Sequence, residues 1–328
     1  MKRRLLRKTF IFALAIGWVF PGVSSHAGIE SLLVPYTSTE DVVYGQKEGM
    51  GLTFDVLQPE QNRKGIGIVL VSSGSWKSGK SNLPEEVAAR RRDHWGMGLL
   101  SNGFTLFVVR HGSGPRFQIP EMIEDIRRSV RFIRLHAADY SIDPDRIGIT
   151  SGSSGGHLAL MVATTGDDGD SGSKDPVERI SCRTQAIVSW FPPADLINWG
   201  MKNGYKMIDK VRPEMFKDMF GTVTDLTTQL ESISPIYFVT ADDPPLLLIH
   251  GDKDSTVPLQ QSEVLKAKYE EAGLEVKLIV EPGGAHTYWP GIEEQYVEIA
   301  QWFEEYLDLG CEGFLSTFFL AVSLGGVA

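Results

Sequence analysis

The sequence predicts an α/β protein: a mostly parallel central sheet with helices on both faces. Three observations predict it. Apolar runs such as "IGIVLVS" (66–72), "FTLFVVR" (104–110) and "PLLLIHG" (245–251) are continuous rather than alternating, as strands buried on both faces require. Stretches with apolar residues at helical spacing separate these runs. The alternation persists to residue 307 without an internal repeat or a long low-complexity linker. With 42% hydrophobic and 23% charged residues, a chain of 328 can bury a large core without a disulfide or metal staple.

Taken in order, residues 41–58 give two β-like runs, "DVVYG" and "GLTFDVL", separated by "QKEGM". A strand at 66–72 leads to a helix over 83–103, then a strand at 104–110. A helix over 120–140 opens on Pro120 and acids, and a short strand at 146–150 follows it. The next helix is expected from about Gly155, and "TTGDDGDSGSKDP" (164–176) is an exposed loop. Strands at 185–191, 245–251 and 275–281, with helices over 259–273 and 292–307, complete the alternation, and 194–235 is irregular with helical patches.

The two ends differ from this body. Residues 1–27 carry five basic residues, the apolar run "FIFALAIGWVF" and a small-x-small site at Ser25-His26-Ala27, which together read as a secretory signal peptide. A domain over 28–310 is therefore expected to be exported, secreted or periplasmic. Cleavage would move the formal charge from −10 to −15, which argues against nucleic acid or an anionic membrane as partner. The tail 311–328 is apolar and glycine-containing, and too short for a confident membrane span. Export would permit Cys182 and Cys311 to pair, although nothing in the sequence shows that they meet.

Ligands of such sheets sit beyond the C-terminal strand ends, so chemistry is sought there. "GITSGSSGGHLAL" (148–160) joins a strand to a helix through a G-x-S-x-G elbow. The glycine spacing selects Ser154, between Gly152 and Gly156; Ser153 fails the rule because Ser151 precedes it by two. A serine nucleophile needs a base held by an acid, and in this class of fold the order is serine, acid, histidine. Of seven histidines, His286 in the glycine-rich loop "EPGGAHTYW" after the last core strand is the best base. His157, three residues past Ser154, reads as a packing or capping group, and His250, ending a strand, as a structural hydrogen bonder. In "LLLIHGDKDSTVP", Asp254 is the expected acid and Asp252 braces the turn. The N–H groups of Gly155, Ser73 and Gly74 are the expected oxyanion donors. Trp76 and Trp289, beside these loops, are the candidate substrate contacts, while Trp190 and Phe191 read as core. Zinc-ligand spacing, P-loop and dinucleotide fingerprint are missing, so no metal or cofactor is implied.

These stretches, with "GLTFDVLQP", "SSGSWKSG" and "MIEDIRRSVRFIRLHAADYSIDPDRIGIT", resemble the α/β-hydrolases, in the esterase group of carbohydrate acetyl esterases, feruloyl esterases and lipase-like carboxylesterases. The resemblance spans 41–308 and implies the α/β-hydrolase fold and hydrolysis of short acyl esters, with polysaccharide esters as one substrate class. It also implies that Asp195, in "FPPADL", braces the site. One stretch departs from it: the group's His-Gly-Gly-Gly-Trp is here Ser72-Ser73-Gly74-Ser75-Trp76, which puts the shape of the oxyanion loop in question. A prolyl-oligopeptidase-like peptidase and a hydrolase-fold binding protein without activity are the alternatives.

Overall fold

The computed structural model describes residues 34–79, 95–200, 225–287, 289–292 and 294–308. The signal-peptide segment 1–27, the tail 311–328, Cys311 and most of the expected helix 83–103 lie outside them.

The sequence begins its sheet with a hairpin. Strands β1 (Tyr36–Lys47) and β2 (Met50–Pro59) pair antiparallel through Glu48 and Gly49. Both turn residues have positive φ, 46° and 78°, the backbone that a tight hairpin needs to match strand twist. The strands β3 (Gly67–Val71), β4 (Thr105–Val109), β5 (Ile147–Gly152), β6 (Ala186–Trp190), β7 (Leu246–Gly251) and β8 (Val276–Glu281) follow. They form one eight-stranded sheet in the order β1-β2-β4-β3-β5-β6-β7-β8. Pairing is antiparallel at β1–β2 and β2–β4 and parallel everywhere else.

Among the described residues, six helices flank the sheet: α1 (Trp95–Ser101), α2 (Ile119–Leu135), α3 (Ser153–Thr164), α4 (Leu226–Glu231), α5 (Gln260–Glu271) and α6 (Glu294–Leu307). Side chains of a strand alternate between faces, and the continuous apolar runs are explained by a core on each. Val69 and Val71 of β3 and Leu246 and Leu248 of β7 pack with α2, α3 and α5. Their neighbours Ile68, Leu70, Leu247 and Ile249 pack with Leu99 of α1 and with Tyr296 and Phe303 of α6.

Two boundaries differ from the sequence reading. The helix expected over 120–140 ends at Leu135, and a 3₁₀ turn, Ala137–Tyr140, takes the rest. The helix expected from about Gly155 begins at Ser153, directly after β5. The Asp/Gly loop after α3 is tied back to α2 by Arg131–Asp167 (2.5 Å) and Arg128–Asp175 (2.8 Å). Cys182 is buried there, its Sγ accepting from the Asp167 N–H at 3.3 Å. Among the described residues, no helix is long and apolar enough to cross a membrane.

The C-terminal ends of β3, β5, β7 and β8 open onto one edge of the sheet. They deliver, respectively, the loop from Ser72, the start of α3, the turn bearing Asp254 and the loop bearing His286.

Candidate active site

The elbow is the sharpest turn of the site. β5 ends at Gly152 and α3 starts at Ser153, with no residue between them. Ser153 has φ 53°, a left-handed backbone that costs a non-glycine residue roughly 1–2 kcal/mol. Strain of this kind persists only where the surroundings over-determine it, as at sites of chemistry. Two glycines let the helix approach the sheet closely. A Cβ on Gly155 would lie 2.2 Å from Ser151 Oγ and 2.9 Å from the Val71 carbonyl oxygen, and one on Gly156 would lie 2.6 Å from Ser189 Oγ.

This geometry corrects the expected serine. Ser153, half-buried, carries its hydroxyl 3.1 Å from His286 Nε2. Ser154 is 2% exposed and turns the other way, its Oγ accepting from the Gly74 N–H at 3.1 Å. The spacing rule failed at one position. Ser151 stands where the rule asks for glycine, but its side chain folds inward and donates to the Val71 carbonyl at 2.7 Å, so nothing collides. The informative glycine was Gly155, two residues after Ser153.

Asp254 and His286 meet as the sequence reading expected. His286 Nδ1 lies 2.6 Å from Asp254 Oδ2, which makes Nδ1 the protonated nitrogen and leaves Nε2 to accept the Ser153 proton. The other carboxylate oxygen, Oδ1, accepts the N–H groups of Thr256 (2.8 Å) and Val257 (2.9 Å). His250 adds a contact the sequence did not suggest: its Nε2 is 2.9 Å from the Val257 carbonyl and 3.4 Å from Asp254 Oδ2, while Nδ1 meets Ser262 Oγ at 2.7 Å. Burial pushes the Asp254 carboxyl up, but the hydrogen bonds from His250, His286 and the Val257 N–H outweigh it, and it titrates below the usual carboxylate range. Phe191 packs on the His286 ring, centroids 4.7 Å apart. Asp252 braces its turn by accepting the Gly283 N–H at 2.7 Å. Asp195 braces the loop after β6, accepting the N–H groups of Ile197 and Asn198.

The expected oxyanion donors are placed differently. The Gly155 N–H donates to Ser73 Oγ at 3.2 Å, and the Gly74 N–H is the one bound to Ser154 Oγ. The residue after Ser153 is Ser154, whose N–H lies in the first turn of α3. Helix geometry leaves first-turn N–H groups without an intrahelical acceptor, and the helix dipole favours negative charge there.

Neither tryptophan is a rim residue. Trp289 is 2% exposed, packs beside Trp190 with centroids 5.9 Å apart, and donates through Nε1 to Gln295 Oε1. Trp76 is also buried, and its Nε1 donates to His157 Nδ1 at 3.1 Å. His157 is therefore protonated on Nε2, which donates to the Ile233 carbonyl at 2.6 Å. This histidine pins the β3 loop to α3 and stays neutral: complete burial lowers its pKa to about 4. Because the unfolded histidine titrates near ~6.5, the folded state is favoured above that value and loses stability as pH falls toward 4. Urea unfolding should show that loss between pH 6.5 and 4, and His157→Gln should flatten it. An undiminished slope in the variant would contradict the assignment.

The chain is 27% identical over 251 residues to the esterase LipQ of Mycobacterium tuberculosis, covering 76% of this chain and 56% of that protein. It is 28% identical to the probable carboxylic ester hydrolase LipM of the same organism, covering 69% and 50%. The chain thus spans about half the length of these curated relatives. A solved truncated form of a carbohydrate esterase from gut microbiota superposes with a TM-score of 0.69 at 28% identity, covering 83% of this chain and 96% of that one. The acetyl ester-xyloside bifunctional hydrolase of Caldicellulosiruptor lactoaceticus shares the fold, with a TM-score of 0.64 at 22% identity over 88% and 97%. The architecture is the α/β-hydrolase fold. The pattern of one family runs from Phe54 in β2 through the elbow to Tyr269 in α5, and on this match over residues 54–269 the chain belongs to the BD-FAE family.

Proposed function

We propose that this protein is a serine esterase in which Ser153, His286 and Asp254 carry the reaction. The observation that carries the reading is the hydrogen-bonded line Ser153–His286–Asp254, with heavy-atom distances of 3.1 and 2.6 Å. Ser153 Oγ attacks the ester carbonyl while His286 Nε2 takes its proton. The tetrahedral intermediate's oxyanion is met by the Ser154 N–H and by the backbone of the β3 loop. Its collapse expels the alcohol, which takes the proton from His286, and leaves the acyl group on Ser153. Water then attacks the acyl-enzyme, giving its proton to His286; collapse of this second tetrahedral intermediate releases the acid, and His286 returns the proton to Ser153 Oγ. Asp254 holds Nδ1 protonated throughout and stabilises the imidazolium.

The substrates proposed are short acyl esters, acetyl or feruloyl, on polysaccharides. The 28% identical neighbour described as a truncated form of a carbohydrate esterase, matched over 96% of that truncated chain, supports that class. Residues 1–27 support export. The peptidase alternative draws on a 28% match over 180 residues to an uncharacterized peptidase of Bacillus subtilis, YuxL, of which 23% is covered. One panel tests these together: p-nitrophenyl acetate, acetylated xylan, a feruloylated oligosaccharide and an aminoacyl-prolyl amide, assayed on the exported protein after its N-terminus is sequenced. Ester turnover without amide turnover is expected, from a chain beginning at Gly28. Amide cleavage alone, or no turnover, would overturn the esterase reading.

A further inference from the structure

We infer that Ser73 and Ser154 form a hydroxyl pair that positions the oxyanion side of the site. The inference rests on the esterase reading above.

The direction of each proton follows from counting. Ser73 has one hydroxyl proton, and it donates to the Gly152 carbonyl at 2.7 Å. In the 3.3 Å contact between Ser73 Oγ and Ser154 Oγ, Ser154 is therefore the donor. Ser73 Oγ also accepts the Gly155 N–H at 3.2 Å, and Ser154 Oγ accepts the Gly74 N–H at 3.1 Å. Two hydroxyls thus stitch the backbone of the β3 loop to both sides of Ser153.

The loop has a physical need for this. Gly74, Ser75 and Trp76 have φ of 135°, 56° and 56°, and two of the three are not glycine. Such a segment relaxes unless its neighbours hold it. Trp76 is held at the far end by His157, and the hydroxyl pair holds the near end beside the reacting serine. A glycine at position 73 or an alanine at 154 could not make the tie. Both hydroxyls act through the loop backbone and neither touches the reacting atoms, so the two side chains are positioning groups, distinct from the Ser154 N–H, which every variant at 154 keeps.

The test compares Ser154→Ala, Ser154→Thr, Ser73→Ala and the double alanine variant of the full chain on p-nitrophenyl acetate. Ser154→Ala should lower kcat by about 10-fold with KM within about twofold, the signature of an interaction made in the transition state. Affinity for a trifluoromethyl ketone analogue should fall in step with kcat, and Ser154→Thr, which keeps the hydroxyl, should restore most of both. The double variant should be no slower than the slower single variant, because the pair works as one unit. An unchanged or raised kcat in Ser154→Ala, or penalties that multiply, would overturn the inference. If Ser73→Ala does not fold, the two Ser154 variants still decide. Loss of activity in Ser153→Ala with full activity in Ser154→Ala would sink this inference alone, whereas an active Ser153→Ala would sink the reading beneath it.

Discussion

Ser153→Ala is expected to lower kcat on a short acyl ester by about 10⁵-fold or more, leaving only what the oxyanion donors and binding supply. Ser154→Ala should lower kcat only about 10-fold, so the two neighbouring alanines separate by about four orders of magnitude. The asymmetry follows from one turn of backbone. Ser153 stands at φ 53° with Oγ on His286, whereas Ser154 lies buried with Oγ on the loop. Alanine at 153 inherits the same left-handed backbone, so thermal stability should change little and the loss of rate is chemical. A fluorophosphonate probe should label the wild type and Ser154→Ala on Ser153 and leave Ser153→Ala unlabelled. Mass spectrometry locating the label on Ser154 would reverse the assignment.

That reversal of the neighbouring serines also shows what one dimension of information can carry. Strand and helix alternation was legible because burial on both sheet faces imposes continuous apolar runs, as in Gly67–Val71 and Leu246–Gly251. Asp254 and His286 were legible because chain order and strand ends place them on one edge. Ser153 was not. The glycine rule weighs two positions equally, while in space they differ: a Cβ at 155 would meet Ser151 Oγ at 2.2 Å, yet the side chain at 151 is buried and donates to the Val71 carbonyl. Trp76 and Trp289 were misplaced for a related reason. Closeness to a site loop in sequence says nothing about which way a ring faces, and both rings face inward onto His157, Trp190 and Gln295. The hydroxyl pair was illegible because it joins residues 81 apart in sequence.

Asp254→Asn should cost about 10³- to 10⁴-fold in kcat, and the hydrogen bonds around the carboxylate say why. Oδ1 accepts two backbone N–H groups, from Thr256 and Val257, so the amide oxygen of asparagine must stay on that side. The amide nitrogen then occupies the place of Oδ2 and donates to His286 Nδ1. That forces the ring proton onto Nε2, which faces Ser153 and can no longer accept from it. The variant keeps its shape and has the wrong tautomer. Stability supplies an independent check with a defined sign. Asp254 in the fold titrates below its unfolded value of ~4, so its ionised form stabilises the protein above that pH, and the contribution is lost as pH falls through the lower folded value. Asparagine has no such contribution. The difference in Tm between wild type and Asp254→Asn should therefore be fully open at neutral pH and close as pH drops below about 4. A gap that widened in acid would mean that the carboxyl is held protonated in the fold, and Asp254 could not then orient His286 as an anion.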